Sequence, residues 1–152
     1  MPQLQSEFIF TFSVGVTRAH DLGPTPFGVR HIDMLGAGTF EGPDIKGKVL
    51  PGGIDCKLLR GDGVAMPNVR LVFETDDGTL ILARYAGLRH GPPEVMERIA
   101  AGEPVDPGAC TLRIALTFET GSEKYNWLNR TLAVGVGRRM PDHAEYDVFA
   151  VL

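Results

Sequence analysis

Every even position from Phe8 to Val16 is apolar, whereas the odd positions mix Ile9 with Thr11, Ser13 and Gly15. Side chains alternate across a strand, so this run predicts a strand with one face committed to a core. A loop rich in Gly and Pro follows from Asp21 to Gly28. Alternation returns from Val29 to Leu35, where Ile32 and Met34 oppose His31 and Asp33. Gly36 to Gly42 reads as a turn-rich link around Phe40, Lys46 to Leu50 as a short strand, and Pro51-Gly52-Gly53 as its break. Ile54 to Arg60 sets Ile54, Cys56 and Leu58 against Asp55, Lys57 and Leu59 before Gly61-Asp62-Gly63 turns the chain. The run from Asn68 to Thr75 places Val69, Leu71 and Phe73 on one face, and Thr79 to Tyr85 follows across Asp76-Asp77-Gly78. An Asp-Gly pair between two apolar runs is a hairpin signal, because glycine accepts the positive φ of the turn without a clash.

One helix interrupts the period of two. Pro92 and Pro93 suit a first helical turn, Glu94 favours the positive end of its dipole, and Val95, Met96, Ile99 and Ala100 recur at helical spacing. Gly102, Pro104 and Pro107 stop it, which places a short helix at about 92–101. It is expected to cover a barrel end or a seam. Strands resume with Cys110 to Glu119, where Leu112, Ile114, Leu116 and Phe118 share a face. Lys124 to Asn129 forms an aromatic link, and Arg130 to Val136 and Glu145 to Val151 complete the series. About nine strands, short connections and one helix make an all-β chain, a single antiparallel β-barrel domain over residues 1–152.

Composition adds exclusions. With 43% hydrophobic and 22% charged residues, the chain reads as an ordinary globular domain. The net charge of −4 and the lack of a Lys/Arg cluster argue against nucleic acid. No apolar run approaches the ~20 residues of a membrane-spanning helix. Met1 to Glu7 lacks a basic stretch followed by an apolar one, and Cys56 and Cys110 fit no metal spacing. The expectation is a cytoplasmic protein with two free buried thiols.

Leu80-Ile81-Leu82-Ala83-Arg84-Tyr85 is largely apolar on both faces, which predicts a strand covered on both sides. Arg84 must then reach the rim or meet an acid, Asp55 being the candidate. A homo-oligomer formed through this strand or an exposed edge is a further expectation. A barrel of about eight strands leaves an interior that side chains fill or that holds one small ligand.

Several motifs occur in a fixed order: Pro51-Gly52-Gly53-Ile54-Asp55, Arg60-Gly61-Asp62-Gly63, Thr75-Asp76-Asp77-Gly78 with Ile81, Tyr85-Ala86-Gly87, Phe118-Glu119-Thr120-Gly121 and Tyr125-Asn126-Trp127-Leu128-Asn129. The series resembles the domain of unknown function 3237 family, small bacterial and fungal proteins, from Phe8 to the end. The resemblance implies a compact antiparallel barrel and no particular reaction. Cys56 stands where the family usually has the tryptophan of a Gly-Gly-x-Asp-Trp stretch.

The candidate site follows from residue chemistry and from this resemblance. Asp55 is the candidate general acid or base, or else a turn-proximal carboxylate bonded to the backbone. Tyr85 offers a phenol for a developing oxyanion and Arg84 a cation for a carboxylate. Trp127 is a candidate for stacking on a flat ligand and Asn129 for a carbonyl contact; otherwise they build a corner. His20, Asp21, His31 and Asp33 could in principle share a metal, but no fourth ligand is fixed, and the reading is a solvated face with no metal. Arg60-Gly61-Asp62 is read as a turn. The leading function is a cofactor-independent enzyme of isomerase, lyase or cyclase type, acting by proton transfer on a small organic molecule in the barrel interior. The alternatives are a lipocalin-like carrier or sensor, and a subunit with a packed interior whose role is interaction.

Overall fold

A computed structural model describes residues 1–152. Its strands are β1 (Ser6–Thr25), β2 (Gly28–Leu35), β3 (Gly38–Glu41), β4 (Lys46–Leu59), β5 (Ala65–Met66), β6 (Asn68–Thr75), β7 (Leu80–His90), β8 (Thr111–Glu119), β9 (Ala133–Arg139) and β10 (His143–Val151), with helix α1 at Pro93–Ala100. All pairings are antiparallel. The sheet closes into a ring of eight strands when β10 pairs with β1, from Ser6 opposite Val151 to Gly15 opposite His143. The short strands β3 and β5 fill gaps between longer ones, β3 between β1 and β4 and β5 between β4 and β7.

Three local expectations change. The strand beginning at Phe8 runs on to Thr25, absorbing the expected loop through register shifts at Arg18/His20 and Asp21/Gly23. A bulge between Phe8 and Phe10 moves Phe8 to the outside, against Phe149 at 5.7 Å, while Phe10 and Phe12 point inward. Pro51-Gly52-Gly53 does not break β4. It makes a bulge opposite β6, with Gly52 at φ 107°, a conformation that favours glycine.

The inward faces divide the barrel lengthwise. One part is aromatic: Phe10 sits edge-on to Phe12, Phe40, Phe73 and Phe118, with centroids 5.6–6.2 Å apart. Val49, Leu71, Ile81, Leu116 and Val148 complete this plug. At the other end the inward positions are His31, Asp33, Asp55, Lys57, Tyr85, Arg89 and Tyr146, all buried. α1 has no buried residue and lies across a cleft from this polar end. No element of the chain itself covers the outer face of β7, neither α1 nor another strand. Ile81, Ala83 and Tyr85 face inward, whereas on the outer face Leu80 and Arg84 are exposed and Leu82 is half-buried within the single chain. No helix is long and apolar enough to cross a membrane.

Candidate functional site

Adjacent strands bring the polar side chains together through their register. Asp33 on β2 lies opposite Asp55 on β4, and His31 opposite Lys57. Asp55 faces Val69 on β6, which faces Tyr85 on β7. Arg89 opposes Leu112, and Leu112 opposes Gly137, which opposes Tyr146. Gly137 is needed there: a Cβ would lie 2.7 Å from the Tyr146 ring and 2.6 Å from Leu112. Its missing side chain gives the Tyr146 ring its place against Phe12, 4.9 Å away and nearly parallel.

These residues enclose a cavity of about 30 Å³, lined by Asp55, Lys57, Tyr85, Arg89, Arg139 and Tyr146 among apolar neighbours. That is room for about two water molecules. Arg89 also lines a cleft of about 320 Å³ between the barrel mouth and α1, with Leu59, Gly63, Pro93 and Met96. The barrel is thus plugged by hydrocarbon over much of its length, and the cavity among its inward-facing side chains is at the polar end.

Each buried group has its own electrostatic state. Lys57 Nζ donates to Asp33 Oδ2 at 2.7 Å, and Arg18 stands 3.7 Å from the other oxygen of that carboxylate. Burial, then the Arg89 charge, pulls the Lys57 ammonium below its usual range despite Asp33. Burial pushes the Asp55 carboxyl up, opposed by the Asn68 N–H that donates to Oδ1 at 2.9 Å and by the charge of Lys57. Burial lifts Tyr146 to about 12 and Tyr85 well above the ordinary phenol value, so both are O–H donors at neutral pH. His31 is held below its ordinary value by burial and then by Arg18. No group of three His, Cys, Asp or Glu side chains is arranged to hold a metal ion.

The raised Asp55 carboxyl carries a stability signature. The folded state keeps this proton at pH values where the unfolded chain, near 3.8, has released it. Its contribution is therefore whole below 3.8 and is lost as pH rises through the folded value. Asp55→Asn removes that loss and keeps an acceptor for Asn68. The variant is expected to melt higher than the parent at pH 7, with the gap closing as pH falls toward 3.8. A variant that melts lower at pH 7 contradicts this assignment.

The sequence candidates separate in space. Asp55 and Tyr85 share the cavity. Arg84 does not join them: it is exposed and bonds Glu119 Oε1 at 3.1 Å, so the expected pairing with Asp55 is replaced by a surface ion pair. Strand alternation is the reason, since Arg84 and Tyr85 are neighbours and point to opposite faces. Trp127 is half-buried beside Glu7, Phe8 and Pro43, at the aromatic end. Asn129 clamps a corner, accepting the Thr120 N–H at 2.8 Å and donating to the Thr120 carbonyl at 2.9 Å. His31 and Asp33, expected on a solvated face, are inside. Cys56 and Cys110 are free and half-buried. Lys57, Arg89, Arg139 and Tyr146 were not singled out from the sequence. The parity of their strands is the signal that finds them, as in Tyr85, Gly87, Arg89 and Tyr146, Val148, Ala150.

Comparison with known proteins agrees with this architecture. The family model described as "Protein of unknown function (DUF3237)" matches residues 4–151. A UPF0311 protein of Rhodopseudomonas palustris is 36% identical over 151 residues, 99% of each chain. The hydroalkoxylation enzyme phnH of Penicillium herquei is 26% identical over 129 residues, 85% of this chain and 71% of that one. Among solved structures, a protein of unknown function from R. palustris superposes with a TM-score of 0.96 at 35% identity, covering 100% of both chains. A β-barrel-like protein from Acinetobacter baumannii gives 0.86 at 38% identity, covering 100% of this chain and 98% of that one.

Proposed function

The chain belongs to the DUF3237 family, and from that premise we propose that it is an enzyme that moves a proton within a small aromatic or carbonyl compound, by isomerisation, elimination, hydration or cyclisation. The observation that carries this reading is the convergence of Asp55, Tyr85 and Tyr146 on one small buried cavity. Asp55 is the proton carrier: burial brings its carboxyl toward the range where it both takes and returns a proton. Tyr85 and Tyr146 remain phenols and donate to an oxygen that gains charge as the proton leaves carbon. The cavity admits only the reacting end of a substrate, and the cleft under α1 takes the remainder. The fungal relative's activity supports the same class. Hydroalkoxylation adds an O–H across a C=C bond, which requires one proton delivered to carbon and another removed from oxygen.

The test offers alkenyl phenols and hydroxy-enones to the protein in D2O and reads deuterium fixed at carbon by mass spectrometry. Turnover is expected to place one deuterium at carbon, and Asp55→Asn to slow it by about two orders of magnitude. Full-rate turnover by the folded variant removes Asp55 from the mechanism.

A further inference from the structure

Three cations line the cavity, and two have partners. Lys57 bonds Asp33 at 2.7 Å. Arg139 donates to the main-chain carbonyl of His143 at 2.8 Å and to that of Met140. The Arg89 side chain donates to no group of the protein. It is only 8% exposed, its Nε has no hydrogen-bond partner, and no carboxylate oxygen lies within 4 Å of it. Its cross-strand neighbours, Ala65 and Leu112, bring no side-chain acceptor. A guanidinium does not shed its proton to escape burial, so a positive charge is held here with no ion-pair partner in contact, Asp55 and Asp33 acting on it only from beyond 4 Å. The nearby acids do not fill the role. Asp55 is bonded to the Asn68 N–H, Asp62 pairs with Arg60, and Glu97 lines the cleft without an ion pair to Arg89.

We propose that the polar end of the barrel binds a carboxylate-bearing organic ligand, its carboxylate on the Arg89 fork where the cleft under α1 meets the cavity, its body in the cleft and its reacting end turned to the cavity. A planar two-oxygen group matches the guanidinium edge with two parallel hydrogen bonds. The cleft, with Leu59, Pro93 and Met96 along it, suits an apolar or aromatic body. The proposal rests on the functional reading above only in taking the same end of the barrel as the substrate site; it names the substrate class, an organic acid.

The test compares benzoate, benzamide and phenyl phosphate by calorimetric titration of the intact protein. Benzoate is expected to bind saturably and benzamide, its neutral near-isostere, about 10- to 100-fold more weakly, as the loss of a charge-assisted contact predicts. Arg89→Gln is expected to abolish the preference for benzoate. Arg89→Lys, which keeps the charge without the fork, should retain part of it. The parent's benzoate–benzamide ratio decides the matter even where a variant fails to fold. Equal binding of the two, no saturable benzoate binding below about 10 mM, stronger binding of phenyl phosphate, or an unchanged preference in folded Arg89→Gln overturns the proposal. Asp55→Asn separates the two readings. It should keep the preference for benzoate over benzamide while losing turnover, so undiminished turnover there removes the proton-transfer role and leaves the carboxylate site standing.

Discussion

Asp33→Ala is expected to lower stability by about 3–5 kcal/mol, because it strands Lys57 inside the barrel. Asp33 is 2% and Lys57 6% exposed, and their 2.7 Å contact is the only hydrogen bond the ammonium makes. Without Asp33 the ammonium stays charged and unpaired, or gives up its proton. Leaving from an ordinary 10.5 costs about 5 kcal/mol at pH 7, so neither route is easy. The second route has a sign that can be read. A lysine depressed in the folded state binds fewer protons there than in the unfolded chain, so stability climbs with pH between the folded value and 10.5. Chemical denaturation of Asp33→Ala across pH 7 to 10 should show that climb more steeply than the parent. Adding Lys57→Met should recover most of the loss, since an apolar replacement of a buried pair is near neutral. A single-variant loss under about 1 kcal/mol means the lysine reaches water.

Phe10→Ala is expected to cost a similar amount, about 3–5 kcal/mol. Phe10 is fully buried and meets four aromatic rings, on its own strand, β3, β6 and β8, so its removal leaves a space that no single neighbour can close. For a domain of this length that corresponds to a fall in Tm on the order of 10 °C. The denaturation midpoint should move with the slope unchanged. Phe8→Ala is the internal comparison: it is the same substitution two residues away, on the outer side of the bulge, where 40% of the residue is exposed. Equal losses at both positions contradict the inward placement of Phe10.

The barrel was legible because most strands follow strict alternation with the apolar residues inward, as in Val69, Leu71 and Phe73 or Leu112, Ile114 and Leu116. The short helix was legible from Pro92-Pro93 and the spacing of Val95, Met96 and Ile99. The polar end was legible only in part, and the reason is physical. Alternation says that two faces differ; it does not say which one is inside. On β2 and the second half of β4 the sense is inverted: His31, Asp33, Asp55 and Lys57 point in, while Met34 and Ile54 are exposed. Hydrophobicity alone assigns such strands backwards. Asp55 was placed inside on other grounds, and the same parity then carries Lys57 with it. Arg89 was lost because β7 was ended at Tyr85, whereas it continues through Gly87 to His90. The extension of β1 past Val16 carries exposed side chains on both faces, so pairing with β2, and not burial, holds it.

The seam between β1 and β10 joins residues near opposite ends of the chain, Ser6 to Val151. Such separation is entropically slow to close, and no earlier pairing substitutes for it. During synthesis, therefore, the ladder edges of β1 and β9 both stand open until the segment from His143 onward has emerged from the ribosome. The site is complete only when Tyr146 arrives with the closing strand.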